Sequence, residues 1–200
     1  MTSMTRPGGR TARVREAVLR ATGDVLAESG FAVLDLAEVA RRADVGRTTV
    51  YRRWGTPTAL VADLLLAMAA DSLPRTRTGS IADDLQANAR LVQSTLADAR
   101  QGRLFAAVVV AGACDSDAAE ALHGFYATRV DEWAPCVDEA VERGELPAGT
   151  DARQVIRAVS APLYYALLQS GQQITEELAD QSAHATLAAA QAGVFVTVGR

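Results

Sequence analysis

The chain has 200 residues and a net charge of −4; 49% of it is apolar, only 5% is aromatic, and about a fifth is alanine, a composition that favours helices throughout. Two cysteines and two histidines exclude a disulfide framework and a many-ligand metal site, and Cys114 and Cys136 are expected as buried small hydrophobes. The stretch from Leu60 to Ala70 is too short to span a bilayer and is broken by Asp63, and the N-terminus holds Arg and Gly instead of an apolar run, so no membrane partner is expected and a soluble, cytoplasmic protein is.

Charge is unevenly placed. All 20 basic residues are arginine, a bias that reflects genome composition more than function. Residues 1–54 hold ten arginines against six acids, a balance of +4, whereas the rest of the chain carries −8. A basic N-terminal unit on an acidic body fits a DNA-binding head on a domain that binds something else.

In chain order, residues 1–10 are expected as a disordered arm with Arg6 and Arg10 as its charges. A first helix is expected from Thr11, where Val14, Val18, Ala21 and Val25 share a face, to Ser29-Gly30. Asp35 then caps a second helix, with Glu38 placed to complete an Asp-x-x-Glu capping box, and Leu36, Val39, Ala40 and Ala43 form its buried face. Asp44 falls where the next turn needs a left-handed residue, a conformation Asp tolerates better than most.

Ala43 to Trp54 read as the turn and second helix of a helix-turn-helix. Val45, Val50 and Trp54 are its apolar anchors, and Arg47, Thr48, Thr49, Tyr51 and Arg52 are left outside, with Thr48 and Arg52 almost opposite Val50. Arginine suits guanine edges and phosphates, threonine suits thymine methyls or phosphates, and tyrosine suits phosphates. Arg53 lies nearer the Val50 side, where DNA contact and pairing with Asp63 are both open. Thr56 and Pro57 then start a fourth helix as cap and first residue. Pro74 ends it, and Arg75–Gly79 is a polar break. Helices follow at about 81–99, 102–113, 116–143, 151–171 and 174–192, with breaks at Gly102, 114–117, 143–147 and Ser170-Gly171. The tail Val194–Val198 reads as a short extended segment or as unfolded chain.

These residues resemble the TetR family of transcriptional regulators. The resemblance rests on Glu28-Ser29-Gly30-Phe31, Leu36-Ala37-Glu38-Val39-Ala40, Val45 to Trp54 and Ala59-Leu60; segments such as Arg143-Gly144-Glu145-Leu146 and Ala161 to Leu168 add to it. It implies an all-α homodimer. The N-terminal three-helix DNA-binding domain (11–56) would join through a connecting helix (57–74) to a C-terminal helical bundle for ligand binding and dimerisation (75–192), with 193–200 as a tail. It also implies a double-stranded, pseudo-palindromic operator as partner, and a small, largely apolar effector that releases it by moving the fourth helix.

Carried over by position, the resemblance puts Arg47, Thr48 and Arg52 on bases or the groove and Thr49 and Tyr51 on phosphates. Arg10 and Arg13 come within reach of a phosphate or the minor groove. The chain departs from the family at Leu34-Asp35, where Thr-Thr is usual, at Asp44 in place of the turn glycine, and at Pro57 in place of a lysine. The last leaves only backbone N–H groups and the helix dipole for that phosphate.

Effector-lining candidates are Leu65, Met68, Leu91, Phe105, Val109, Phe125, Tyr126, Trp133, Tyr164, Tyr165 and Gln169. Trp133 and the tyrosines stand out because a buried polar tip needs a partner. Each reads more readily as ordinary core, His123 as a partly exposed structural residue before a ligand contact, His184 as surface or interface, and Pro135 and Pro162 as kinks that serve packing before a pocket. Leu163, Leu167, Leu178 and Leu187, with the alanines of 183–192, suit a four-helix dimer interface or an intrachain core. No catalytic triad, metal cluster, phosphate loop or cofactor site can be assembled. A second reading, a helical interaction module whose helix-turn-helix no longer binds DNA, is motivated by Asp35 and Pro57.

Overall fold

A computed structural model describes residues 8–71, 77–170 and 172–197. The described residues are helical nearly throughout: α1 (Gly8–Ser29), a 3-10 turn (Phe31–Val33), α2 (Leu36–Arg42), α3 (Arg47–Arg53), α4 (Pro57–Ala70), α5 (Ile81–Ala97), α6 (Ala99–Cys114), α7 (Ser116–Glu142), α8 (Ala152–Tyr165) and α9 (Glu176–Gln191). The fold is all-α, as its composition implies. None of these helices is long and apolar enough to cross a membrane. Arg6, Pro74 and Gly171, on which sequence expectations rest, lie outside the described residues.

Two compact units form. One gathers the described residues up to Ala70 with Arg103–Phe125, and the other gathers those of 71–102 with those from Tyr126 onward. In the first, α1 packs on α2 and α4, and α2 on α3. The α1 stripe buries Val18, Val25 and Leu26, and Val39 and Val50 close the same core; each such side chain contributes about 1.5–3 kcal/mol. In the second unit α5 packs on α8 and α9. Gln86 and Arg90 of α5 both donate to Asp180 of α9 at 2.9 Å, and the Ser182 hydroxyl donates to the Val159 carbonyl of α8 at 2.7 Å.

Local caps set the helix starts. Thr56 accepts from Ala59 N, Ser80 from Asp83 N, Asp151 from Gln154 N and Thr175 from Leu178 N. Several boundaries differ from expectation. α1 begins at Gly8 instead of Thr11, so Arg10 stands in its first turn instead of in an arm. α6 begins at Ala99 because Asp98 accepts from Arg100 N and Gln101 N, and the helix runs through Gly102 instead of breaking there. α8 ends at Tyr165 in a π-helical turn, Ala166–Ser170. Pro135 and Pro162 stay inside α7 and α8. The tail turns back at Gly193 and makes one antiparallel bridge between Val196 and Thr150.

Two burial expectations are corrected. Cys114, at the end of α6, is exposed, whereas Cys136 is buried. The small and bulky residues of α8 and α9 divide: Leu163, Ala183 and Ala190 belong to the intrachain core, while Ala161, Tyr165, Leu168, Ala185 and Ala188 stay on the surface.

Candidate nucleic-acid interface

The helix-turn-helix is built from short-range rules. Asp35, in extended backbone, accepts from Glu38 N at 3.3 Å and so starts α2. The expected capping box is only half made. The Glu38 carboxylate turns instead to Arg41 and Arg42, whose guanidinium groups donate at 2.7–2.8 Å, because two cationic donors outcompete one backbone N–H. The same pair holds the Glu38 carboxyl well down, at about 2. Arg42 also reaches Glu28.

Asp44 turns the chain with φ 53°, the only left-handed non-glycine among the described residues. Gly46 then starts α3, whose buried side chain is Val50, with Trp54 buried at its end. Val45 and Ala43 are half-buried. On the outside of α3, Arg47, Thr48, Tyr51 and Arg52 are exposed and Thr49 is half-exposed.

The arginines of this region fall into two classes. Arg15, Arg41 and Arg42 are committed to carboxylates within the chain. Arg10, Arg13, Arg47 and Arg52 make no ion pair or hydrogen bond with any described residue. Arg53 belongs to neither class: its guanidinium lies over the Trp54 ring, 4.8 Å from the centroid. Asp63, its sequence-suggested partner, is taken by Arg15 and by the Trp54 indole.

An open groove of about 660 Å³ brings two of these unpaired cations, Arg10 and Arg52, together: it is lined by Arg10, Thr11 and Val14 of α1, by Thr49, Arg52 and Arg53 of α3, and by the turn Asp44-Val45-Gly46. Arg47, Thr48, Tyr51 and Arg13 are on the same two helices but do not line it. Sequence spacing does not reveal this groove, since it joins segments thirty or more residues apart. Asp44 is the one acidic residue among those that line it.

Partial burial works against ionisation of Asp63, but hydrogen bonds from Arg15 and Trp54 outweigh it and hold its pKa below the usual carboxylate value. A depressed native pKa gives stability that is present above the unfolded value, about 4, and lost as pH falls through the native one. The melting temperature of the full chain is therefore expected to fall below about pH 4. Circular-dichroism melts should show that fall reduced in Asp63→Asn, which has no proton to take up; an equal fall in both proteins removes Asp63 as a cause.

The effector candidates separate by unit. Leu65, Phe105 and Phe125 are buried and Met68 and Val109 half-buried in the first, where the Phe105 and Phe125 rings lie 5.8 Å apart. In the second, Trp133 is buried, Leu91 half-buried, and Tyr126 meets Tyr164 edge-on at 5.3 Å. Burial pushes both phenols above their ordinary range, so both are neutral hydrogen-bonding groups. Tyr165, 64% exposed, and Gln169 stand at the surface. His184 is exposed, and so is His123, for which partial exposure was expected. Among the described residues no group of three or more metal-ligating side chains comes together.

Comparison with known proteins covers both halves. Residues 18–64 match the family described as bacterial regulatory proteins, tetR family, and residues 75–186 match the tetracyclin repressor-like C-terminal domain. The HTH-type transcriptional regulator YdeS of Bacillus subtilis (strain 168) is 29% identical over 162 residues, 80% of this chain and 81% of that one. Among solved structures, Salmonella enterica GusR superposes with a TM-score of 0.73 at 21% identity, covering 97% of this chain and 99% of that one. A SmeT–triclosan complex superposes with a TM-score of 0.66 at 22% identity, covering 94% and 97%. With the helix-turn-helix matched to the N-terminal part of one family, and more than half of the chain to that family's C-terminal domain, the chain belongs to the TetR family of DNA-binding transcriptional regulators.

Proposed function

We propose that the protein is an effector-released repressor that binds a pseudo-palindromic operator as a homodimer and carries out no catalytic step. Arg47, Thr48 and Arg52 read base edges, Thr49 and Tyr51 hold phosphates, and Arg10 and Arg13 reach a phosphate or the minor groove. The observation that carries this reading is the division of the arginines: Arg47 and Arg52 stand exposed on α3 with no partner among the described residues, while Arg41 and Arg42 beside them are neutralised. Desolvating a free guanidinium against a guanine edge or phosphate breaks no intrachain pair, so the binding energy is not spent on releasing one.

Dimerisation is supported by exposed apolar residues of α8, the π-helical turn and α9, where Ala161, Tyr165, Leu168, Ala185 and Ala188 stand at the surface and the alanines permit close helix approach. Repression is supported by the repressor-like C-terminal match, and a small apolar effector by the aromatic candidates and by the triclosan complex of SmeT. The domain division we propose follows the family: 11–56 binds DNA, 57–74 connects, and 75–192 binds effector and partner.

Footprinting on the DNA flanking the protein's own gene tests this. Two protected half-sites, one or more helical turns apart and so spaced in multiples of about 10 base pairs, are expected at low salt. A folded dimer that gives no sequence-dependent protection overturns the reading.

Asp44 supplies a separate test. A non-glycine in left-handed backbone costs about 1 kcal/mol, and Asp44 lines the groove that phosphates would enter. Asp44→Gly is expected to raise the melting temperature by a few degrees and operator affinity about five- to tenfold at low salt, with the gain shrinking as salt is added. Anisotropy titrations across a salt series measure it. A loss of affinity instead would mean that the carboxylate reads a cytosine amino group.

A further inference from the structure

Three helices of the first unit converge on one carboxylate that no DNA contact requires. Asp63, on α4, accepts from Arg15 of α1 through Nε at 3.0 and 3.1 Å and through Nη2 at 2.7 Å, and from the Trp54 indole N–H at 2.9 Å. Trp54 is the C-terminal cap residue of α3. The recognition helix is short: α3 spans seven residues and buries one of them, Val50. So small an apolar face leaves the helix free to roll or slide at little cost, because apolar contact is not directional. A hydrogen bond from a rigid indole to an ionised carboxylate is directional. Phenylalanine would fill most of the Trp54 site without a donor, so apolar packing does not require the indole N–H that makes the pair.

We infer that Asp63 is a positioning residue: by holding the Trp54 N–H it fixes the recognition helix to α4, and operator affinity depends on it although it touches no DNA. Arg15 binds the same carboxylate, so α1 and α3 are set against α4 together. A displacement of α4 carries the recognition helix with it through this bond, instead of sliding past a greasy contact. The inference rests on the reading that α3 enters the groove.

The test uses the full-length protein and a duplex enriched by the wild type from a random-sequence library. Trp54→Phe and Asp63→Asn are each expected to lower affinity for that duplex about tenfold, the scale of one charged hydrogen bond. The double variant should bind no worse than Asp63→Asn alone. The slope of log affinity against log salt should stay at the wild-type value, because no phosphate contact is lost. All measurements are made below each variant's melting range, so the folded fraction is constant. Arg103→Ala, which breaks a hydrogen bond between α6 and the Ala27 carbonyl of α1 without touching α3, should leave affinity within twofold.

Affinities of Trp54→Phe and Asp63→Asn within twofold of wild type, or losses that multiply in the double variant, overturn the inference. If Asp63→Asn does not fold, Trp54→Phe keeps the Arg15–Asp63 pair and decides on the same readout. Failure of the wild type to enrich any duplex overturns the DNA reading itself, and this inference with it; enrichment with unaffected variants overturns only this inference.

Discussion

The double variant Arg47→Ala/Arg52→Ala is expected to lose a hundredfold or more in operator affinity while melting within a degree or two of wild type. A bidentate arginine–guanine pair is worth about 1–3 kcal/mol of discrimination, and two such pairs account for that loss. The near-constant melting temperature follows because neither guanidinium has a partner among the described residues: truncating them opens no core and orphans no described carboxylate. Truncating Arg41 or Arg42 would instead strip donors from Glu38.

Anisotropy against the enriched duplex and a scrambled one, at several salt concentrations, separates base reading from phosphate holding. Loss at a base-reading arginine narrows the gap between the two duplexes. Loss at Arg13 weakens both alike and flattens the salt slope by about one. Unchanged binding in the double variant would leave the interaction-module reading, in which the helix-turn-helix no longer engages DNA, as the better account.

The outward face of α3 was legible in the sequence because short-range rules build it. The cap at Asp35, the left-handed turn at Asp44 and the inward Val50 each act within about four residues, and together they decide which side of α3 faces out. What the sequence hid were choices between partners. Glu38 had a backbone N–H and two guanidinium groups within reach, and spacing alone ranks the capping box first. Asp63 had Arg53 ten residues before it and Arg15 forty-eight before it; the distant one took both oxygens. The groove lined by Arg10 and Arg52 is hidden for the same reason, since it exists only once α1 lies beside the turn. Exposure was least legible where a helix end meets solvent, as at Cys114 and Tyr165: an apolar pattern shows a face, not where its cover stops.

Two glycine-to-alanine changes inside helices should move stability in opposite directions, although helix propensity gives both the same sign. By propensity each gains about 1 kcal/mol. At Gly124 of α7 a Cβ meets nothing within 4 Å, so Gly124→Ala is expected to realise that gain and melt a few degrees higher. At Gly102 of α6 the same atom would stand 2.4 Å from the Leu96 carbonyl oxygen and 3.4 Å from its carbon. Neither neighbour is the end of a flexible chain. They belong to the corner where α5 stops at Ala97 and α6 starts at Ala99, a corner already pinned by the Gly102 N–H on the Asp98 carbonyl at 2.8 Å. Relief requires the two helices to separate by about an ångström, against the Asp98 bonds that cap α6. Overpacking of this kind costs about 1–3 kcal/mol, which exceeds the propensity gain over most of its range. Gly102→Ala should therefore melt several degrees lower, by calorimetry or circular dichroism, and Gly102→Val lower still. A stabilised Gly102→Ala would show that the corner opens freely.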